Sequence, residues 1–214
     1  MCVHLNNEKK VTLYFIRHGE TQYNVEKRMQ GFCDSPLTEK GILQARSVGK
    51  GLTDIHFEAA YASDSQRVLD TAKYAIGDRD IPLSVDTRLK EMNFGVFESL
   101  LPQEISEQYG NALETLFSLE LDASAPEGES YSQLFARTEQ AVEEIVKKHE
   151  SKGGNVLIFS HGVTIGNYII QLTNSKEFTI HENCSVTVVS YLNGKRVIET
   201  VADTSFQEKG KKDL

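Results

Sequence analysis

The chain has 214 residues, 31 acids against 23 bases for a formal charge of -8, and 39% hydrophobic residues. That length suits one sizeable domain, or one domain with an insertion, and the composition is that of an ordinary soluble protein. The negative field disfavours nucleic acid and anionic membrane surfaces as partners, no apolar run is long enough to span a bilayer, and the polar stretch from Met1 to Lys10 lacks the apolar core of a signal peptide, so a cytoplasmic protein is expected.

The first element is a strand, Val11 to Ile16, apolar on both faces. A strand of that kind lies in a parallel sheet covered on both sides by helices. It runs straight into Arg17-His18-Gly19-Glu20-Thr21. In open α/β sheets ligands bind just beyond the carboxyl ends of such strands, so Arg17 and His18 stand where chemistry is expected.

Asp34-Ser35-Pro36-Leu37-Thr38 then reads as a turn, with Thr38 capping a helix that ends near Gly49 or Gly51. A short strand over 58–62 follows. Ser63 and Asp64 are capping residues for a helix that carries Val68, Leu69, Ala72, Ala75 and Ile76 on one face. The stretch 81–85 is a weak strand, placed at a sheet edge by Pro82. From Glu91 to Ala136 there is no Lys or Arg but nine acids, and a helix is expected from about Gln103 to Leu119. This segment reads as an insertion beside the main sheet.

Ser130 and Gln133 have the spacing of a capping box, opening a helix to about Glu150. A second buried-type strand, Val156 to Phe159, runs into Ser160-His161-Gly162 and another apolar helix. Two last strands are joined by Asn193-Gly194, a strong hairpin turn. The charged end of the chain reads as frayed. The order of elements predicts an α/β layered fold: one domain over 1–214, with 91–136 as the insertion and 207–214 as a frayed tail. Cys2, Cys33 and Cys184 are odd in number and widely spaced, and read as reduced thiols.

The two strand-His-Gly runs carry the chemical argument. If their strands are neighbours, His18 and His161 face each other at one sheet edge, and Gly19 and Gly162 admit a ligand close to the backbone. One neutral imidazole can attack phosphorus while the other, as a cation, holds phosphate oxygens. His18 is taken as the nucleophile. Arg17 and Arg67 suit phosphate oxygens in pairs, with Arg28 a weaker case. Thr21, Asn24 and Gln30 are further donors, although each is equally a turn or cap residue. Glu91 is the favoured proton donor: a partly desolvated carboxyl near phosphate has the raised pKa a general acid needs. Glu20 is the rival, expected instead to orient the His18 loop. Two histidines and a carboxylate also suit a metal, but the flanking arginines count against one. His4, His56, His149 and His181 read as structural.

The ordered set Arg17-His18-Gly19-Glu20-Thr21 with Asn24, Gln30-Gly31 with Asp34, Ser63 with Arg67, Glu91, Glu98, Glu127-Gly128-Glu129-Ser130 and Ser160-His161-Gly162 resembles the histidine phosphatase superfamily, which includes phosphoglycerate mutases. The resemblance implies a three-layer αβα sandwich with a mostly parallel sheet. It also implies a phosphohistidine on His18, a pocket of Arg17, Arg67 and His161 lined by Thr21, Asn24, Gln30, Gly31 and Gly162, proton donation by Glu91, no metal or cofactor, and a small helical cap over the substrate. Mutases of that family follow the acid with an arginine, a histidine, a tyrosine and a glycine and carry an arginine pair in the cap. Here Met92-Asn93-Phe94-Gly95 follows, and the cap has no cation. A phosphatase acting on a small phosphorylated metabolite is therefore expected, with phosphoglycerate mutase and a non-catalytic phosphate-binding module as alternatives. A homodimer is left open.

Overall fold

The computed structural model describes residues 9–175 and 177–212; Cys2, His4 and the last two residues of the expected tail lie outside the described residues. Six strands form one sheet in the order β3-β2-β4-β1-β5-β6: β1 (Val11–Arg17), β2 (Ala59–Ala62), β3 (Leu83–Val85), β4 (Gly154–Ser160), β5 (Val186–Leu192) and β6 (Lys195–Asp203). The first four run parallel; β5 runs antiparallel to β1, and β6 antiparallel to β5. β3 is an edge strand, as Pro82 implied, but it covers only 83–85 of the expected 81–85.

Successive residues of β1 enter opposite cores. Val11, Leu13 and Phe15 pack with α6 (Tyr131–His149) and α7 (Gly162–Thr173). Tyr14 and Ile16 pack with α2 (Glu39–Gly51) and α3 (Gln66–Ile76) on the other face. Each buried aliphatic or aromatic side chain contributes about 1.5–3 kcal/mol. Helices on both faces give the three-layer αβα sandwich.

The insertion has a core of its own. Met92, Phe94, Phe97, Ile105, Leu116, Ala123 and Ala125 pack against Tyr131 and Leu134. The single helix expected from about Gln103 to Leu119 is two, α4 (Pro102–Tyr109) and α5 (Ala112–Leu116). They are separated at Gly110, whose φ of 62° ends the first helix. The tail is a second correction. Ser205–Lys211 is a helix, α8, not a frayed end. Gln207 and Gly210 are buried, and a Cβ on Gly210 would lie 1.9 Å from the Ser47 carbonyl oxygen of α2. The charged sequence conceals this because the helix docks through a glycine contact, the single apolar side chain Phe206 against the core, and a Gln207 amide that donates to Asn183 O (2.8 Å), not through an apolar stripe. A short helix that the sequence reading lacked, α1 (Gln22–Glu26), is closed by a reciprocal Thr21–Asn24 capping box.

Candidate active site

The register of β1 on β4 builds the site. Arg17 pairs with Ser160, so His18 and His161 leave adjacent strands side by side. Their rings meet edge-to-face with centroids 5.4 Å apart, and both are buried. The juxtaposition expected from the two strand-His-Gly runs is present.

Each imidazole is held in one tautomer. His18 Nδ1 lies 2.8 Å from the Gly19 carbonyl oxygen, which only accepts, so Nδ1 carries the hydrogen and Nε2 keeps its lone pair. Burial, then the Arg67 and Arg17 guanidiniums, hold the His18 pKa well below the usual 6.5. The ring is therefore neutral at neutral pH. His161 has the opposite tautomer. Arg67 Nη2 donates to its Nδ1 (3.0 Å), so Nε2 bears the hydrogen and meets Ser63 Oγ at 2.9 Å. Burial, Arg67 and His18, in that order, push its pKa well down. The cationic His161 expected from sequence is thus corrected: an arginine facing the ring keeps it neutral.

Arg67 is the second correction. It is wholly buried. Nη1 donates to Cys33 O (2.8 Å) and Asp34 Oδ1 (3.0 Å), and Nη2 to Gly31 O (2.9 Å) and His161. All four terminal hydrogens are committed to the protein, leaving only Nε without a partner. The guanidinium is a scaffold for loop 31–34 and His161, not a free fork for phosphate.

Arg17 keeps more freedom. Nη1 donates to the His181 carbonyl oxygen, and Nε is buried without a partner. A Cβ on Gly162 would come within 3.2 Å of that Nε, so this glycine makes room for the Arg17 side chain.

Glu91 is buried at the first turn of α7. Its Oε1 accepts from Met92 N (2.9 Å) and Thr164 N (3.0 Å) and lies 3.0 Å from Thr164 Oγ1, whose one hydrogen is shared with the nearer Lys90 carbonyl oxygen (2.8 Å). Its Oε2 accepts from Val163 N (3.1 Å). The helix N-terminus thus supplies donors to the carboxylate. Glu20 is a poor rival. Hydrogen bonds from Lys40 and Thr38 hold its carboxyl below the ordinary range, away from what an acid catalyst needs, and its backbone anchors the loop to Thr38 N (2.9 Å).

The remaining expected residues divide. Thr21 Oγ1 and Asn24 Oδ1 serve the α1 capping box, and Asn24 Oδ1 also accepts from Asn183, whose amide reaches His18 O (3.0 Å). Gln30 is buried, and its Oε1 accepts from Ser35 (3.3 Å). Gly31 has φ +55° and gives its carbonyl to Arg67. Arg28 is tied to Glu26, Ser99 O and Glu104. His181 is structural, as expected, yet its backbone oxygen positions Arg17. The cap of α3 also differs. Ser63 and Asp64 precede the N-cap position Ser65, which makes no side-chain cap bond; Asp34 reaches across to Gln66 N and Arg67 N.

Sequence reasoning missed Asn183, Asp34 and Arg137 as organisers. Arg137 holds three carbonyls of the 88–91 backbone, donating to Arg88 O, Lys90 O and Glu91 O. Its position as the first cation after the basic-free segment is the one signal that was available.

A family model described as histidine phosphatase superfamily (branch 1) matches residues 13–204. Probable phosphoglycerate mutase GpmB of Escherichia coli O1:K1 is 34% identical over 202 residues, 90% of this chain and 93% of that protein. The structure of a phosphoglycerate mutase from Bacillus anthracis has a TM-score of 0.87 at 34% identity, covering 96% of this chain and 99% of that one. A mycobacterial glucosyl-3-phosphoglycerate phosphatase bound to VO3 has a TM-score of 0.83 at 26% identity, covering 90% and 99%.

Proposed function

The chain belongs to the histidine phosphatase superfamily, and from that premise we propose that it hydrolyses small phosphomonoesters through a phosphohistidine on His18. The observation that carries the reading is the His18 tautomer: Nδ1–H is spent on Gly19 O, and the neutral ring offers the Nε2 lone pair. Nε2 attacks phosphorus and the ester P–O bond breaks. The departing oxygen takes a proton from Glu91. Water then attacks the phosphohistidine, the P–N bond breaks, and the water proton returns to Glu91. Oε1 of Glu91 accepts two backbone amides and Oε2 one, so Oε2 is the oxygen that carries the proton. Arg17, through Nε, and Arg67, through its remaining Nε–H, stabilise the phosphoryl charge. Segment 91–136 is the cap.

The names of two relatives favour a second reading, phosphoglycerate mutase. That reaction needs cations for a carboxylate and a second phosphate. None lies between 91 and 136, and the flanking cations are engaged: Lys90 with Asp64, Arg137 with Glu129, Arg28 with Glu26 and Glu104. This supports water as the acceptor and a neutral, apolar or cationic leaving group. A metal is not required, and Arg67 occupies the His161 Nδ1 lone pair that a metal would take. The unbridged thiols of Cys33 and Cys184 suit a cytoplasmic setting.

The test is release of p-nitrophenol from p-nitrophenyl phosphate without added metal, beside His18→Ala, with the phosphoenzyme trapped in alkali. Release by wild type and none by the variant is expected. Equal release by both, or phosphate binding without turnover, defeats the proposal. Bisphosphate-primed isomerisation of phosphoglycerate at a rate comparable to hydrolysis would establish the mutase instead.

A further inference from the structure

One carboxylate outside the reacting set has more reach than its position suggests. Glu98 lies in the cap segment, just before a seam in which Ser99 N donates to Met29 O (2.8 Å) and Met29 N to Leu100 O (3.0 Å). Its Oε1 accepts from Phe32 N (2.8 Å) and Phe94 N (3.2 Å), and its Oε2 from Cys33 N (2.9 Å). The same three-residue stretch turns its carbonyls the other way. Gly31 O and Cys33 O both receive Arg67. Loop 31–33 is thus clamped between an anion on its amide side and a cation on its carbonyl side, and the 31–32 peptide spans the two, with its N–H on Glu98 and its carbonyl on Arg67. Gly31 is required by this clamp. At φ +55°, a Cβ there would lie 2.3 Å from Glu98 Oε1.

We infer that Glu98 is a positioning residue: through the peptides of 31–33 it holds Arg67 against His161 and so couples the cap to the tautomer of the second histidine of the site. Removing the carboxylate frees the Phe32 amide and leaves Cys33 N with only the Gln30 carbonyl oxygen (3.0 Å), so the amide side of the loop is no longer anchored opposite Arg67. Arg67 Nη2 then loses its fixed place on His161 Nδ1, the contact that sets the Nε2–H tautomer of the buried ring and adds to burial in keeping it neutral. The other charged or titratable groups acting on His161 are His18 and Arg17 from β1 and Arg137 from α6, and none of them touches Glu98 in the structure.

The inference rests on the proposed reaction only for its kinetic arm. The deciding experiment is long-range proton–nitrogen NMR of the histidine rings in the whole protein, with His161→Gln assigning the signal. Wild-type His161 is expected as the Nε2–H tautomer, titrating well below the usual 6.5. Glu98→Ala is expected to raise the His161 titration toward the usual 6.5, to mix its tautomers, and to lower kcat for p-nitrophenyl phosphate about 10- to 100-fold. Glu98→Gln, which keeps one acceptor oxygen, is expected to fall between. A Glu98→Ala protein that is less stable or less active while its His161 spectrum matches wild type overturns the inference. Should Glu98→Ala fail to fold, the His161 spectrum of Glu98→Gln decides by the same criterion. An inactive wild type would overturn the proposed hydrolysis and leave the NMR outcome able to decide the positioning role.

Discussion

Replacing Arg67 with methionine tests the claim that this arginine is a scaffold. The side chain is wholly buried, and it serves Gly31 O, Cys33 O, Asp34 and His161 Nδ1 at 2.8–3.0 Å. Methionine fills much of the volume but donates nothing. Two loop carbonyls and the imidazole nitrogen are then left without a partner, at about 1–3 kcal/mol for each buried group. Asp34 is about a third exposed and keeps the α3 amides, so it adds little. Because the acceptors share one loop, the losses are not additive, and the expected cost is about 3–5 kcal/mol, in the range for breaking a buried charge contact. In a domain of this size that is a fall in Tm of roughly 6–20 °C. Urea unfolding followed by circular dichroism measures it as a lower midpoint at unchanged slope. Arg67→Lys keeps the charge, but its compact ammonium cannot span four acceptors, so only part of the loss should return. A cost below about 1 kcal/mol for Arg67→Met, typical of exposed ion pairs, would refute the scaffold.

Stability should also depend on pH with a definite sign. Burial foremost holds His18, His161 and His181 below the usual 6.5, His181 at about 4. The unfolded chain binds protons at these sites as pH falls through about 6.5 while the folded chain does not, so stability is full above that pH and falls below it. The limiting slope is roughly three protons, about 4 kcal/mol per pH unit; urea midpoints between about pH 6.5 and pH 5 measure it, and His181→Gln should remove about one proton from it. Unchanged midpoints across that window would contradict the buried neutral histidines. Glu91→Gln should slow alkyl phosphates with poor leaving groups far more than p-nitrophenyl phosphate, which needs no proton donor; equal losses on both would transfer the role to another acid. Truncation after Thr204 removes α8 and uncovers Gly51 and the 183 region, so a lower Tm is expected from a thermal melt; an unchanged Tm would mean the helix contributes nothing.

Much of the fold was written locally. Both faces of Val11–Ile16 and of Val156–Phe159 are apolar, and that alone calls for a buried parallel sheet. The Ser130–Gln133 box and the Asn193-Gly194 turn occur where the sequence puts them, the box closing through bonds of 2.9 and 3.3 Å and the turn with both residues at positive φ. These features depend on residues a few positions apart. The elements misread depend on distant ones. Asp34 caps α3 from another loop, and α8 is held by a glycine contact on α2. The charged surface of α8 carries no trace of that contact.

The site divides in the same way. The sequence by itself determined that two histidines leave buried strands at one sheet edge with an arginine beside the first, because strand ends and the α/β rule are local facts. What each group does there was decided by the tertiary structure. His161 lost its expected charge because Arg67, ninety-four positions away, donates to it. Arg67 keeps only its Nε–H for the role expected of it, because loop 31–34 and His161 take its four terminal hydrogens. Protonation states and free donors are set by which partners surround a group, and those partners come from five different segments of the chain. Periodicity can place a side chain at an edge, but only packing determines what its hydrogen bonds are spent on.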